Sequence, residues 1–167
     1  MRLLLAAALA GFAALAIEVV GVHQLAPWFG ASTLVWTNQI GVVLLAMAAG
    51  GWLGGRRARG GRAPARLAAV LLLASGLVLA AGVAILPSAA AALLPEGLLV
   101  EEAAGVCMAG SLACAVLLFA PPVFLLAMVT PLLVECRAGV RGAGRAAGDL
   151  YAAGTLGSLL GVFGTTW

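Results

Sequence analysis

Residues 67–86 read LAAVLLLASGLVLAAGVAIL, twenty positions in which Ser75 is the only polar side chain. A helix of that length rises about 30 Å, the thickness of a bilayer's hydrocarbon core. A helix also satisfies its own backbone hydrogen bonds where no water can. Similar runs recur on both sides of this one. Hydropathy predicts spans at about 3–22, 34–54, 66–86, 103–135 and 147–167. The fold expected is all-α: a polytopic transmembrane helical bundle of about five spans, with 1–167 as one integral membrane domain.

The composition points the same way. The chain is 64% hydrophobic and 9% charged, against roughly 45–50% and 25% in soluble domains, and its mean hydropathy is +1.17. The first apolar run follows Met1-Arg2 and contains an Ala8-Leu9-Ala10 triplet that a signal peptidase could read. It continues past that triplet to Val22 with Glu18 as its one break, so it is read as a retained first helix. The fourth run is too long for one straight crossing. Pro121-Pro122 and Pro131 each remove backbone donors there, which predicts a kinked helix or two half-helices. Cys107, Cys114 and Cys136 show no CxxC spacing and are read as small helix residues. No metal or cofactor is expected.

All nine basic side chains are arginines, and they fall in three places. These are Arg2, a loop with Arg56, Arg57, Arg59, Arg62 and Arg66, and a second loop with Arg137, Arg141 and Arg145. With five spans the three places share one side of the membrane. The segments 23–33 and 87–102 carry no arginine and hold Glu96, Glu101 and Glu102. The positive-inside rule then makes the amino terminus and both arginine loops cytoplasmic, with the carboxyl terminus outside. No aromatic residues interleave the arginines as in a nucleic-acid site, so the bilayer, not nucleic acid, is the partner expected from the +3 charge.

Four stretches carry a family resemblance: LAPWFGAST at 25–33 with Trp36-Thr37, GGWLGGR at 50–56, MVTPL at 128–132 and LYAAGTLGSLLG at 150–161. Their order and spacing resemble the membrane half of bacterial membrane-bound spermidine-synthase-like proteins, the fused transporter/spermidine synthases. The resemblance covers residues 14–164. It implies a helical module in the bacterial inner membrane, joined in that family to a cytoplasmic aminopropyltransferase domain and linked to polyamines. Residues 1–167 hold no strand–glycine-loop–helix unit for a nucleoside cofactor, so aminopropyl transfer is expected only if the chain continues past Trp167. The turn at 51–59 also resembles the signature loop of major-facilitator transporters, without the acidic residue that signature has near Gly55.

Glu18 is the most informative side chain, because a carboxylate within an apolar span costs several kcal/mol unless protonated, paired or wetted, by order of magnitude. Asn38 and Gln39 enter the second span from the same side at matching depth, with His23, Gln24 and Trp36 near the rim. Two readings stand: an outward-facing pocket for a cation, a polyamine or a quinone headgroup, and a buried hydrogen bond that pins the first helix to the second. Glu135, Asp149 and Tyr151 flank the second arginine loop, where they pair with its arginines or form a docking surface for a cytoplasmic domain. The glycine rows Gly50-x3-Gly54, Gly51-x3-Gly55, Gly154-x3-Ser158 and Gly157-x3-Gly161 are spaced for close helix packing. The function expected is a non-catalytic membrane module, anchor or subunit of a larger membrane assembly. The alternative is a small polyamine or cation carrier centred on Glu18.

Overall fold

The computed structural model describes residues 1–59, 64–94 and 100–166. In chain order they form α1 (Arg2–Phe29), α2 (Thr33–Ala58), α3 (Pro64–Leu93), α4 (Val100–Cys114), a π-helical turn (Ala115–Phe119), α5 (Ala120–Arg141) and α6 (Ala143–Thr166). The segment from α4 through the π turn to α5 is uninterrupted, so the protein is an all-helical bundle of five long helical segments, with no strand among the described residues.

Four of the five are long and apolar enough to cross a membrane: α1, α2, α3 and the segment Ala103–Gly139. α6, the fifth expected span, has the length, at 24 residues. Its glycines, threonines and Asp149 dilute its hydropathy, and it is not among those four.

Several expected boundaries move outward. α1 continues through Pro27 to Phe29 rather than ending at Val22, because Leu25 and Phe29 are buried in the core. The Phe29 ring occupies the space that a Cβ on Gly110 would need. α3 likewise runs through Pro87 to Leu93, with Leu86 buried at the expected end and Ala90 buried beyond it. Segment 23–33 is thus mostly helix, and the turn from α1 to α2 is only a few residues long. Gly30 makes it with φ 81°, a conformation that costs glycine little, while its N–H donates to the Ala26 carbonyl at 2.9 Å. Ser32 then caps α2 by accepting the Val35 N–H. Gly142, with φ 79°, makes the equally tight turn from α5 to α6.

The expected proline kink takes the form of the π turn. The Ala120 N–H reaches back five residues to the Ala115 carbonyl, just before Pro121 and Pro122 withdraw two donors in succession. In an α-helix each ring would press on the carbonyl four residues earlier; widening one turn relieves that pressure. Buried residues across the junction follow a four-residue step, Gly110, Cys114, Leu118, Pro122 and Leu126.

Glycine contacts fix the helix directions. Gly157 lies against the Ala8 backbone and Gly161 against that of Phe12, so the paired numbers rise together and α1 and α6 are parallel. Gly50 meets Phe124 and Ala127, Gly54 meets Met128 and Pro131, and α2 and α5 are therefore parallel too. α1 opposes α4 and the π turn, since Phe29 meets Gly110 while Gly21 approaches Phe119. Ala7, Ala10, Ala14 and Gly21 of α1 are buried along with Ile17, Val22, Leu25 and Phe29, whereas Leu5, Leu9, Leu45, Leu73, Leu77, Leu117 and Leu160 point outward. Small residues at the contacts let helices approach closely, and large apolar side chains on the outer surface suit lipid rather than water.

Candidate functional site

The helix directions collect the arginines at one end. α1 begins there at Arg2, α2 ends there with Arg56, Arg57 and Arg59, α3 begins there beside Arg66, and α5 and α6 meet there beside Arg137 and Arg145. Arg62 and the side chain of Arg141 lie outside the described residues, as do Glu96 and the side chains of Glu101 and Glu102. Arg137 donates through Nε and Nη2 to Asp149 Oδ2 at 3.2 and 2.7 Å, tying α5 to α6 across the Gly142 turn. Arg56 stacks on the Trp52 ring, 3.9 Å from its centre. Arg57, Arg59, Arg66 and Arg145 are exposed, with no ion pair among the described residues.

At the opposite end the expected cluster is only partly assembled. Asn38 does not turn toward Glu18. Its Nδ2 donates to the Met108 carbonyl and to Ser111 Oγ, both at 2.9 Å, because α4 lies on that side of α2. Gln39, one residue on, faces α1 and fills the gap that Gly21 leaves beside Phe119. It is fully buried, and neither amide atom has a partner. Glu18 lies one helical turn before Gly21, half-buried, and makes no hydrogen bond or ion pair among the described residues. The buried hydrogen bond expected between the first two helices is therefore not formed by Glu18. His23 donates through Nδ1 to its own helix, 2.8 Å from the Val19 carbonyl oxygen, and meets Trp36 edge-on at 6.4 Å between ring centres. Gln24 is exposed. The two ends of the former cluster thus separate into a rim pair, His23 with Trp36, and a deeper pair of unpartnered groups, Glu18 and Gln39.

A cavity with a partly polar lining lies elsewhere, between α2 and α6 over α5; the sequence named Arg59, Glu135 and Tyr151 only as topology or docking residues and gave no sign of a cleft between them. It measures about 710 Å³ and is lined by Met47, Gly51, Gly55 and Arg59 of α2, by Thr130, Pro131, Val134 and Glu135 of α5, and by Tyr151 of α6. A smaller cavity of about 170 Å³ shares Met47, Thr130 and Tyr151 with it and carries the cleft inward to Gly11, Thr155 and Ser158. Ser158 Oγ donates to the Gly11 carbonyl at 3.1 Å and closes the inner end.

The glycine rows explain why the cleft exists. Gly50 and Gly54 are pressed against the α5 backbone, whereas a Cβ added at Gly51 or Gly55 would meet nothing within 4 Å. One row of α2 packs and the other faces the cleft. On α6, Gly157 and Gly161 are spent on α1. The spacing of small residues was visible in the sequence, but nothing in it separates a row that packs from one that stays open. Comparison with family models, with curated proteins and with solved structures found no match to this chain.

Proposed function

We propose that the protein is a non-catalytic module of the bacterial inner membrane that serves as an anchor or subunit of a larger assembly, as its resemblance to the membrane half of spermidine-synthase-like proteins implies. One observation carries this reading. Arg57, Arg59, Arg66 and Arg145 stand exposed at one end of an otherwise apolar bundle, with no ion pair among the described residues. A clustered charge of one sign, fixed on rigid helix ends, offers an acidic partner both steering and register. Placed by the positive-inside rule, that end is cytoplasmic, where the family it resembles carries its soluble half.

The test is native mass measurement of the tagged protein extracted with its surrounding lipid. The expected result is a defined species heavier than the 16.6 kDa chain with its lipids, lost in the Arg57→Glu/Arg145→Glu double variant while helicity is unchanged. A solitary chain that nevertheless turns over or transports a substrate would overturn the proposal.

The unpartnered Glu18 and Gln39 favour a second reading, a carrier for a monovalent cation or a polyamine. Carriers usually pair two gated halves, so this bundle would work as a dimer or with a completing partner. Uptake of a labelled polyamine into proteoliposomes that is abolished by Glu18→Gln supports it. Absence of uptake under a proton gradient, a sodium gradient and a membrane potential removes it.

A further inference from the structure

We infer that the cleft between α2 and α6 is a binding site for a single anionic phospholipid of the arginine-side leaflet. Three observations carry this, and none depends on a protein partner.

The first is length. Along α2 the cleft runs from Arg59 at the helix end to Met47, twelve residues or about 18 Å. One leaflet of hydrocarbon is about 15 Å deep, so the cleft extends from the headgroup level to the middle of the membrane. Met47 and Gly11 lie together at its inner end, close to the midpoint of both helices.

The second is the order of chemistry along it. Arg59 and Glu135 occupy the arginine end, Tyr151 and Thr130 line both the outer and the inner cavity, Thr155 follows in the inner one, and Met47, Gly51, Ala127 and Val134 supply an apolar wall. Headgroup, ester region and acyl chain meet partners of matching polarity in that sequence. Gly51 and Gly55 leave a smooth wall of bare backbone along which a methylene chain can lie.

The third is charge. Arg59 and Glu135 line the same cavity without pairing with one another. The cavity's own two charges offset each other, but Arg57, Arg66 and Arg145 stand exposed at the same end with no ion pair among the described residues, so the surroundings of the cleft mouth are net positive and favour an anion. A phosphate can accept from the Arg59 guanidinium and from the Tyr151 hydroxyl, while the choline of phosphatidylcholine, even with Glu135 to face, brings a further cation to an end that is already net positive. Basic pockets between transmembrane helices on the cytoplasmic side take anionic headgroups for this reason.

The experiment uses the full chain reconstituted in phosphatidylcholine vesicles that contain a trace of spin-labelled phosphatidylglycerol or spin-labelled phosphatidylcholine. The motionally restricted fraction is read for each probe. The wild-type protein is expected to hold the glycerol lipid at least fivefold more strongly than the choline lipid. Arg59→Gln should lower that preference about fivefold, the worth of one arginine at an anionic surface. Gly51→Leu places a side chain in the open cleft, where its Cβ meets nothing within 4 Å, and should abolish the restricted component.

Gly41→Leu, at another glycine with nothing within 4 Å and outside the cleft lining, is the control for folding and should leave it intact. Equal retention of the two lipids overturns the assignment. So does a restricted component that survives Gly51→Leu in protein with unchanged helicity. A stoichiometric polypeptide that occupies the cleft and is displaced by Gly51→Leu would assign the groove to a partner helix instead and likewise overturn it.

Discussion

Gln39 and Asn38 are adjacent amides with opposite energetic roles. Asn38 bridges α2 to α4 through two hydrogen bonds, and side-chain bonds between membrane helices average about 0.6 kcal/mol with a maximum near 1.7. Asn38→Leu should therefore cost about 1 kcal/mol, seen as a lower midpoint in thermal unfolding of the detergent-solubilised protein. Gln39 is buried with both amide atoms unpaired, and an unmade bond of that kind costs roughly 1–3 kcal/mol. Gln39→Met keeps the volume and removes the polar atoms, so the midpoint should rise. A fall would mean that an ordered water or bound ligand satisfies the amide, and would bring Gln39 back into the Glu18 site. Sequence placed both residues at the right depth but could not tell them apart. Neighbouring positions on a helix differ by about 100° in direction, and which of the two faces α1 depends on where α4 sits.

At the scale of the helices, the glycine rows give a sharp contrast between chemically identical changes. Gly54→Leu drives its side chain into the Met128 backbone and Pro131, whereas Gly55→Leu enters open space. Overpacking typically costs 1–3 kcal/mol, by order of magnitude, so Gly54→Leu should destabilise by at least that and Gly55→Leu by little. Equal losses in the two variants, read by chemical unfolding in micelles, would show that α2 packs on another face.

The π turn makes a second prediction at this scale. With Pro121→Ala and Pro122→Ala together, both withdrawn donors return and the turn can tighten to an α-helix. α4 would then rotate relative to α5, and Asn38 would lose Met108 and Ser111. Cross-linking by a short bis-thiol reagent between Asn38→Cys and Ser111→Cys, with the native cysteines replaced, should drop in that double-alanine background. The prolines made a distortion legible in the sequence. Its form was not legible, because nearly every residue from 103 to 134 is apolar or small and leaves no hydrophobic period to show the four-residue step.

The whole molecule is a bundle whose odd number of long segments has a physical consequence that can be measured. α1 and α6 pack in parallel through Gly157 and Gly161, and α2 and α5 in parallel through Gly50 and Gly54, so every described arginine falls at one end. The clustering of arginines in three stretches already implied this arrangement, because short loops between spans alternate sides. The cleft was not implied, because it depends on α2 and α6 flanking α5 without closing on each other, a matter of how the other four segments tile around the one that contains α5. If the arginine end faces the cytoplasm, a fluorescent protein inserted between α2 and α3 should mature and glow. A periplasmic phosphatase inserted between α3 and α4 should be active, and the reverse fusions should fail. Replacing Arg56, Arg57 and Arg59 with glutamine should then weaken the retention signal of the first hairpin and raise phosphatase activity at the α2–α3 junction. The second arginine group at α5 and α6 would still hold the rest of the bundle, so the change should be partial. A complete inversion would mean that the first hairpin alone sets orientation, and that the tight α1–α6 packing forms only after all the helices are inserted.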